Sequence, residues 1–134
     1  MQITPIHWRE TLPIRHQVLW PDKPEAFCRL EGDEQAWHFG AMIGGHLVGV
    51  ASVFVEGNSA RLRKFATLAE YQRQGIGSAL LNHALSFASL QGMTHFWCDA
   101  RESALAFYAR FGLCPEGERF YKAEVSYFRM SRVL

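Results

Sequence analysis

The run LVGVASVFV, residues 47–55, constrains the fold of this chain more than any other segment. Its residues are mostly apolar at odd and even positions alike, whereas a strand with one face in water alternates apolar and polar side chains. The run therefore predicts a central strand that is covered on both faces of its sheet. A sheet buried in this way needs further elements packed on each side, and helical patterns elsewhere in the chain supply them.

The segments around this run predict the rest of a sheet. β-Rich runs flank Gly44-Gly45 and follow Gly57-Asn58, a spacing that is typical of an antiparallel meander. An earlier strand contains Pro5, which restricts it to a sheet edge or a strand start. Strands are predicted near residues 2–8, 36–43, 46–55, 60–68 and 94–100, with one or two more in the tail.

Three helices are predicted between these strands. The first spans 11–20, with Thr11 as its N-cap and Pro13 in its first turn, and a polar, proline-rich loop with one helical turn follows it over 21–35. The second begins after Gly75, carries an apolar stripe and ends at Gly92; the third spans 103–112. The order strand, helix, strand from 60 to 100 implies a parallel pair with a right-handed crossover.

Size and charge limit the function. A chain of 134 residues that is 49% hydrophobic predicts one α/β domain over 1–134. Its net charge of +1 gives no overall attraction to nucleic acid or an acidic membrane, so we expect neither as a partner. Three cysteines without a CxxC pair, and a start without a leader pattern, favour the cytoplasm. Six histidines without HxH or HExxH spacing predict no metal site.

The stretch EYQRQGIGSALL is a candidate anion site, because Gly75 and Gly77 stand where a loop becomes a helix. Consecutive backbone N–H groups and the positive end of a helix together cradle a phosphate, and glycine lets the anion approach the backbone. GIGSAL lacks the third glycine of the dinucleotide fingerprint, and no Walker GxxxxGK motif is present. The alternative is a plain helix-start turn packed against the sheet.

Two motifs resemble a known family. The pattern Gln72-x-x-Gly75-x-Gly77, followed by Ala104-x-x-Phe107-Tyr108-x-x-x-Gly112-Leu113, resembles the two central motifs of the GNAT superfamily of N-acetyltransferases. The segments IRHQVLWP, RLRKFATL, WCDAR and GERF are similar to an uncharacterised bacterial subgroup of it. The resemblance implies a mixed, mostly antiparallel sheet with helices on both faces. It also implies a V-shaped acetyl-CoA slot between the strands near 60–68 and 94–100.

The resemblance also implies where acetyl-CoA binds. Backbone N–H groups of the glycine loop would hold the pyrophosphate, and the end of the preceding strand would pair with the pantetheine arm. Arg73 stands where relatives often have glycine, and Arg101 stands where many have asparagine, so both depart from the pattern; a guanidinium could still meet a CoA phosphate. The implied cofactor-binding residues are Ala66, Thr67, Leu68, Gln72, Arg73, Gln74, Gly75, Ile76, Gly77, Ser78, Arg101 and Phe107.

By the same resemblance the reaction is acetyl transfer to a primary amine by direct attack. Tyr108 would protonate the departing thiolate, and backbone N–H groups near Thr67 and Leu68 would bind the oxyanion. The usual strand glutamate is missing, since this position holds the run RLRK instead. The remaining candidates for the base are Asp99, which we favour at its strand end, His38, Glu70 and Glu124.

The acceptor is a small-molecule or peptide amine, and its pocket is expected to be lined by Trp20, Phe27 and His38. The protein is expected to be a monomer or a homodimer. A non-catalytic acyl-CoA-binding or sensing domain, which kept the loop and lost the base, is an alternative function. A domain without any cofactor, with Tyr108 as an ordinary core tyrosine, is a third.

Overall fold

A computed structural model describes all residues from 1 to 134 and contains one seven-stranded sheet. The strands are β1 (Gln2–Pro5), β2 (Trp37–Ile43), β3 (His46–Glu56), β4 (Ser59–Thr67), β5 (His95–Arg101), β6 (Cys114–Lys122) and β7 (Val125–Val133). Their order across the sheet is β1-β2-β3-β4-β5-β7-β6, and β1 lies at an edge, as Pro5 requires. All neighbouring strands are antiparallel except β4 and β5, which are parallel.

Helices cover both faces of the sheet. They are α1 (Trp8–Ile14), which continues as one π-helical turn over Arg15–Leu19, α2 (Ile76–Leu90) and α3 (Leu105–Ala109). Short 3₁₀ turns occur at Glu25–Cys28, Ala69–Tyr71 and Glu102–Ala104. None of the helices is both long and apolar enough to cross a membrane. The predicted α/β class, with a mixed and mostly antiparallel sheet, is confirmed.

The core lies mainly between the sheet and α2. Leu80, Leu81 and Ala84 of α2 are fully buried in a cluster that includes Val48 and Val53 of β3. On the opposite face, Ile14 of α1 packs in a smaller cluster with Val50 of β3 and Ala66 of β4. The run 47–55 is therefore the central, doubly covered strand that its composition predicts.

A β-bulge interrupts β4 at Lys64, whose φ of 52° lies in the left-handed region. The register between β3 and β4 shifts here, between Val50 and Ser52. The bulge reverses the side-chain alternation, because Leu62 packs in the α2 cluster whereas Ala66 packs with Ile14 on the α1 face. The expectation of a regular strand over 60–68 missed this change of face.

The parallel strands β4 and β5 separate after a short paired segment. They pair only at Ser59 with His95, Ala60 with Phe96 and Arg61 with Trp97. Beyond these pairs β4 continues to Thr67 and β5 to Arg101 without facing each other. The sheet therefore opens into a wedge, which confirms the predicted V-shaped slot.

The boundaries of two helices differ from the prediction. Helix α1 starts at Trp8 rather than near Thr11, because His7 and Glu10 form a capping box: the His7 ring accepts from the Arg9 N–H, and the Glu10 carboxylate accepts from the His7 N–H. Thr11 instead lies inside the helix and donates to the Trp8 carbonyl oxygen at 2.6 Å. The third helix is shorter than 103–112, because its first turn is a 3₁₀ turn and α3 ends at Ala109.

Candidate active site

Two cavities meet at the wedge between β4 and β5. The first, of about 710 Å³, lies between Ala66 and Thr67 of β4, the loop 72–78 and the residues of α3, and is here named the glycine-loop cavity. The second, of about 280 Å³, is lined by residues 61–65 of β4 and 98–101 of β5 and is here named the basic cavity. Its charged lining residues are Arg61, Arg63, Lys64, Asp99, Arg101 and Lys122. Phe65, Ala104 and Tyr108 line both cavities, so the two spaces communicate at these side chains.

The glycine loop presents unpaired backbone donors to the first cavity. The N–H groups from Arg73 to Ser78 have no acceptor in the protein, and Ala79 is the first residue whose N–H bonds within the helix, to the Gly75 carbonyl at 3.0 Å. Arg73 and Gly75 both have a left-handed φ, of 62° and 82°. Such a turn points successive N–H groups to one side, and the start of a helix adds positive potential there. The loop therefore has the concave geometry and the free donors that an anion site requires.

Side chains hold this loop in place. The Gln72 amide donates to the Thr67 carbonyl oxygen at 3.0 Å, and the Gln74 amide donates to the Glu70 carbonyl oxygen at 3.1 Å. Ile76 is only 2% exposed and anchors the start of α2 in the core, and it lines neither cavity. A Cβ at Gly75 would meet nothing within 4 Å, so packing does not require a glycine here. The positive φ favours glycine, and the absence of a side chain keeps the cavity open.

Thr67 and Leu68 differ in their free backbone groups. The Leu68 N–H donates to the Val48 carbonyl oxygen at 2.9 Å, and Leu68 lines neither cavity. The N–H groups of an antiparallel strand alternate between its two sides, so the Thr67 N–H is directed away from β3 and into the wedge. Of these two residues, only Thr67 therefore has a free N–H for the oxyanion role that the family resemblance implies for both.

Tyr108 lies half-buried where the two cavities join. Its ring contacts Phe107 and Phe65 at centroid distances of 5.2 and 6.5 Å, and Cys98 lines the basic cavity beside it. Burial and the neighbouring Cys98 raise the pKa of Tyr108 well above its ordinary value of 10, and burial raises the pKa of Cys98 to about 12. Both groups are therefore protonated at neutral pH, and the phenol is able to donate a proton.

Asp99 is surrounded by cations in the basic cavity. Its carboxylate lies 3.0 Å from Arg61 and 3.8 Å from both Lys122 and Arg129. The guanidinium groups of Arg61 and Arg129 also stack on the ring of Trp97, at 4.4 and 4.0 Å from its centroid. Asp99 is thus the counter-ion that fixes a cluster of positive side chains.

The comparison with known proteins agrees with this geometry. The sequence model of the Acetyltransferase (GNAT) family matches residues 2–113. The chain belongs to this family. It is 32% identical over 129 residues to the N-acetyltransferase YitI of Bacillus subtilis, a match that covers 90% of this chain and 87% of YitI.

Solved acetyltransferases share the fold of this GNAT protein. The ribosomal-protein-S18-alanine N-acetyltransferase from Escherichia coli superposes with a TM-score of 0.84 at 22% identity, over 98% of this chain and 92% of that one. An aminoglycoside 6'-N-acetyltransferase complexed with coenzyme A superposes with a TM-score of 0.82 at 12% identity, over 99% and 97%. The predictions of the GNAT family and of an N-acetyltransferase are confirmed.

The structure of this GNAT enzyme brings most of the predicted cofactor residues together. The glycine-loop cavity is lined by Ala66, Thr67, Gln72, Arg73, Gly75, Gly77, Ser78 and Phe107. Gln74 is exposed, and its side chain braces the loop instead of facing the cavity. Arg101, for which the resemblance implies a contact with CoA, lines the basic cavity and not the glycine-loop cavity. The reason is its place on β5, where Asp99 and Arg101 share one face and Cys98 and Ala100 share the other.

The predicted acceptor residues lie at different places. Trp20 and Phe27 are 40% and 52% exposed and pack edge to face at 5.4 Å, and the Lys64 ammonium lies 5.7 Å from the Trp20 ring, so Trp20 stands at the rim of the basic cavity. His38 lines neither cavity, because it is 6% exposed and both its ring nitrogens are hydrogen-bonded inside the protein. Its expected contact with substrate is therefore corrected. Glu70 and Glu124 are exposed and line neither cavity.

His38 belongs to a buried polar network that the sequence did not indicate. Arg15, which is fully buried, donates to both carboxylate oxygens of Asp33 at 2.8 and 2.9 Å and to the Ser52 hydroxyl at 2.9 Å. The His38 Nε2–H donates to the Asp33 carbonyl oxygen at 2.7 Å, and its Nδ1 accepts from Ser52 at 2.7 Å. The network attaches the loop 21–35 to α1 and β3.

Proposed function

We propose that this enzyme transfers the acetyl group of acetyl-CoA directly to a primary amine, with the cofactor in the glycine-loop cavity and the amine entering from the basic cavity. The observation that carries this proposal is the junction of the two cavities at Tyr108, in the gap where β4 and β5 separate. A thioester carbon placed in this gap is open to cofactor on one side and to acceptor on the other.

The cofactor is held mainly by backbone groups. The free N–H groups from Arg73 to Ser78 bind the pyrophosphate, and Arg73 and Arg110, which line the same cavity, add positive charge. The pantetheine arm lies along Ala66 and Thr67 at the open edge of β4. Phe107 closes the apolar side of the cavity, where it packs against Phe65 at 6.1 Å between centroids.

The chemical step needs a free amine and two donors. The amine lone pair attacks the thioester carbon, a C–N bond forms, and the Thr67 N–H stabilises the oxyanion of the tetrahedral intermediate. The C–S bond then breaks and the sulfur takes a proton from the Tyr108 hydroxyl, while the nitrogen loses its extra proton to solvent. The products are the acetamide and CoA, and the tyrosine is reprotonated from solvent.

Deprotonation of the amine is favoured by the cations around it. A cationic side chain beside an amine disfavours the ammonium form, and the basic cavity places several such side chains near the gap. The Asp99 carboxylate is shared by Arg61, Lys122 and Arg129. We therefore assign to Asp99 the role of arranging these cations. The proton of the amine is lost to solvent.

The wider setting of the enzyme is also a proposal. Residues 1–134 act as one catalytic domain on a small-molecule or peptide amine, as a monomer or a homodimer. The three cysteines are free, with Cys28 and Cys98 buried and Cys114 exposed, which supports a reducing compartment such as the cytoplasm. No nucleic acid, membrane or metal takes part in the proposed reaction.

The test follows CoA release from acetyl-CoA with a panel of primary amines. The wild type is expected to release CoA, and Tyr108→Phe is expected to lose about 10²- to 10⁴-fold in kcat with an unchanged Kd for acetyl-CoA. Tyr121→Phe, at an exposed tyrosine outside both cavities, is the matched control. Tight cofactor binding without release by the wild type would instead favour an acyl-CoA-sensing domain.

A further inference from the structure

We propose that the acceptor is a small primary amine that also carries an anionic group, a carboxylate or a phosphate, and that this group binds to Arg63, Lys64 and Arg101. The inference rests on the proposed function, because it assigns the basic cavity to the acceptor. It adds the chemical class of the substrate, which neither the family nor the relatives determine.

The charge of the cavity lining is the first observation. Five cationic side chains and one carboxylate, Asp99, line the basic cavity. Asp99 pairs with Arg61 and Lys122 of this lining, and also with Arg129. Arg63, Lys64 and Arg101 form no ion pair with any residue of the protein. Three cations of one small cavity are therefore without a counter-ion.

The burial of these cations is the second observation. Arg63 and Lys64 are half-buried, and burial, followed by the charge of neighbouring cations, lowers the pKa of each. Their charges are thus held in a place that the protein itself leaves uncompensated. An anion bound between Arg63 and Lys64 replaces the interactions with water that these cations lose on burial. Its hydrogen bonds to the charged donors are strong ones.

The local backbone brings these side chains together. Arg61 and Arg63 alternate onto the same face of β4, and the bulge at Lys64, with its left-handed φ of 52°, adds one more cation to the same cavity. Arg101 approaches from the end of β5, across the wedge. The cations stand next to Tyr108, so an anion among them places a nearby amine at the gap.

The same lining selects against other acceptors. Polyamines and other acceptors with several positive charges are repelled by unpaired cations, whereas a neutral amine gains nothing from them. The anion also explains how an amine enters a positive cavity at all, since the two charges of such a substrate interact with opposite sign. The cations then hold the amine as its free base, which is the form that attacks the thioester.

The experiment compares matched amines by kcat/KM, corrected for the free-base fraction of each. The pairs are O-phosphoethanolamine with ethanolamine and glycine with glycinamide, and putrescine serves as the dication. The anionic member of at least one pair is expected to react about tenfold or more faster than its neutral partner, and this preference should shrink at high salt. The first pair tests phosphate and the second tests carboxylate as the source of the anion.

Two variants locate the effect. Arg101→Gln, at an exposed and unpaired arginine, should raise KM for the preferred anionic amine about tenfold and leave the Kd for acetyl-CoA unchanged. Arg63→Gln should do the same, and Arg9→Gln, on the exposed side of α1, is the control that changes neither.

The outcomes separate the two claims. Equal or faster reaction of the neutral member in both pairs, or of putrescine compared with the preferred anionic amine, overturns the anionic-substrate inference and leaves the acetyltransferase intact. An acetyl-CoA Kd that weakens in Arg101→Gln, with KM for the amine unchanged, also overturns the inference and assigns Arg101 to the cofactor. Absence of CoA release with every amine counts against the proposed function itself.

Discussion

Replacing Gly77 by alanine should separate cofactor binding from folding. Gly77 lies in the first turn of α2 and lines the glycine-loop cavity. A Cβ built there lies 3.4 Å from Phe65 Cζ and 3.8 Å from Phe107 Cζ, which are ordinary van der Waals contacts. Its φ is not positive, so the backbone accepts a side chain without strain. The fold therefore has room for the methyl group.

Gly77→Ala should affect folding stability and CoA affinity in opposite directions. Alanine in a helix is about 0.5–1 kcal/mol more favourable than glycine, so the free energy of unfolding should stay the same or rise by that amount. The methyl group occupies space that the cofactor needs, and overpacking a tight contact costs about 1–3 kcal/mol. The Kd for CoA should therefore rise by roughly 5- to 150-fold.

The assay pairs urea denaturation with calorimetric titration of CoA. Asn82→Ala, at an exposed position on the same helix, is the matched control and should leave the Kd unchanged. A Gly77→Ala protein that binds CoA as tightly as the wild type would show that the ligand does not approach the start of α2. The assignment of the glycine-loop cavity to the cofactor would then be refuted.

Three further predictions concern the loop and the buried network. Burial lowers the pKa of His38 in the folded protein, so the unfolded chain takes up a proton at higher pH than the folded one. The free energy of unfolding should therefore fall as the pH drops below about 6.5, by at most about 1.4 kcal/mol per pH unit. Urea midpoints measured between pH 8 and 5 check this, and His38→Phe should flatten the slope. Arg15→Met leaves the buried Asp33 carboxylate without its partner and should lower the free energy of unfolding in urea by about 3–5 kcal/mol. Adding Asp33→Asn removes the unpaired charge and should recover much of this loss. A double variant that is as unstable as Arg15→Met would contradict the pairing. Arg73→Gly relieves a left-handed φ of 62° that costs an ordinary side chain roughly 1–2 kcal/mol, so the free energy of unfolding should not fall. The salt dependence of the CoA affinity should weaken, and an unchanged salt dependence would exclude Arg73 from phosphate binding.

Much of the fold is written in local sequence patterns. The doubly apolar run 47–55 identifies the central strand, and Gly75 and Gly77 mark both the start of α2 and a candidate anion site. These features depend on neighbouring residues, so they are visible in the chain alone. The opening between β4 and β5 followed only from the family resemblance, because no local pattern shows where two parallel strands stop pairing.

The features that were missed depend on rare local choices or on distant partners. Lys64 takes a positive φ that lysine seldom adopts, so RLRKFATL gave no sign of a bulge. His7 is an unusual N-cap, and Thr11, four residues later, is a commoner one. Arg15 and Asp33 are 18 positions apart in the chain, and nothing local pairs them.

Within the site, the placement of Arg101 had a visible signal. The segment FWCDAR alternates, with Phe96, Cys98 and Ala100 buried toward α2 and the residues between them on the other face. That alternation places Asp99 and Arg101 together on the face of the basic cavity. The period of two along this strand is therefore enough to place Arg101 on the side of the basic cavity.

The most direct test of the account is an amide NMR titration of the protein with CoA. The backbone N–H groups from Arg73 to Ser78 have no acceptor in the protein, so these resonances should shift most, with Thr67 following when acetyl-CoA is used. Saturation of those shifts at one ligand per chain would support the glycine loop as the pyrophosphate site. Shifts confined to other residues, or no shifts at saturating ligand, would contradict it.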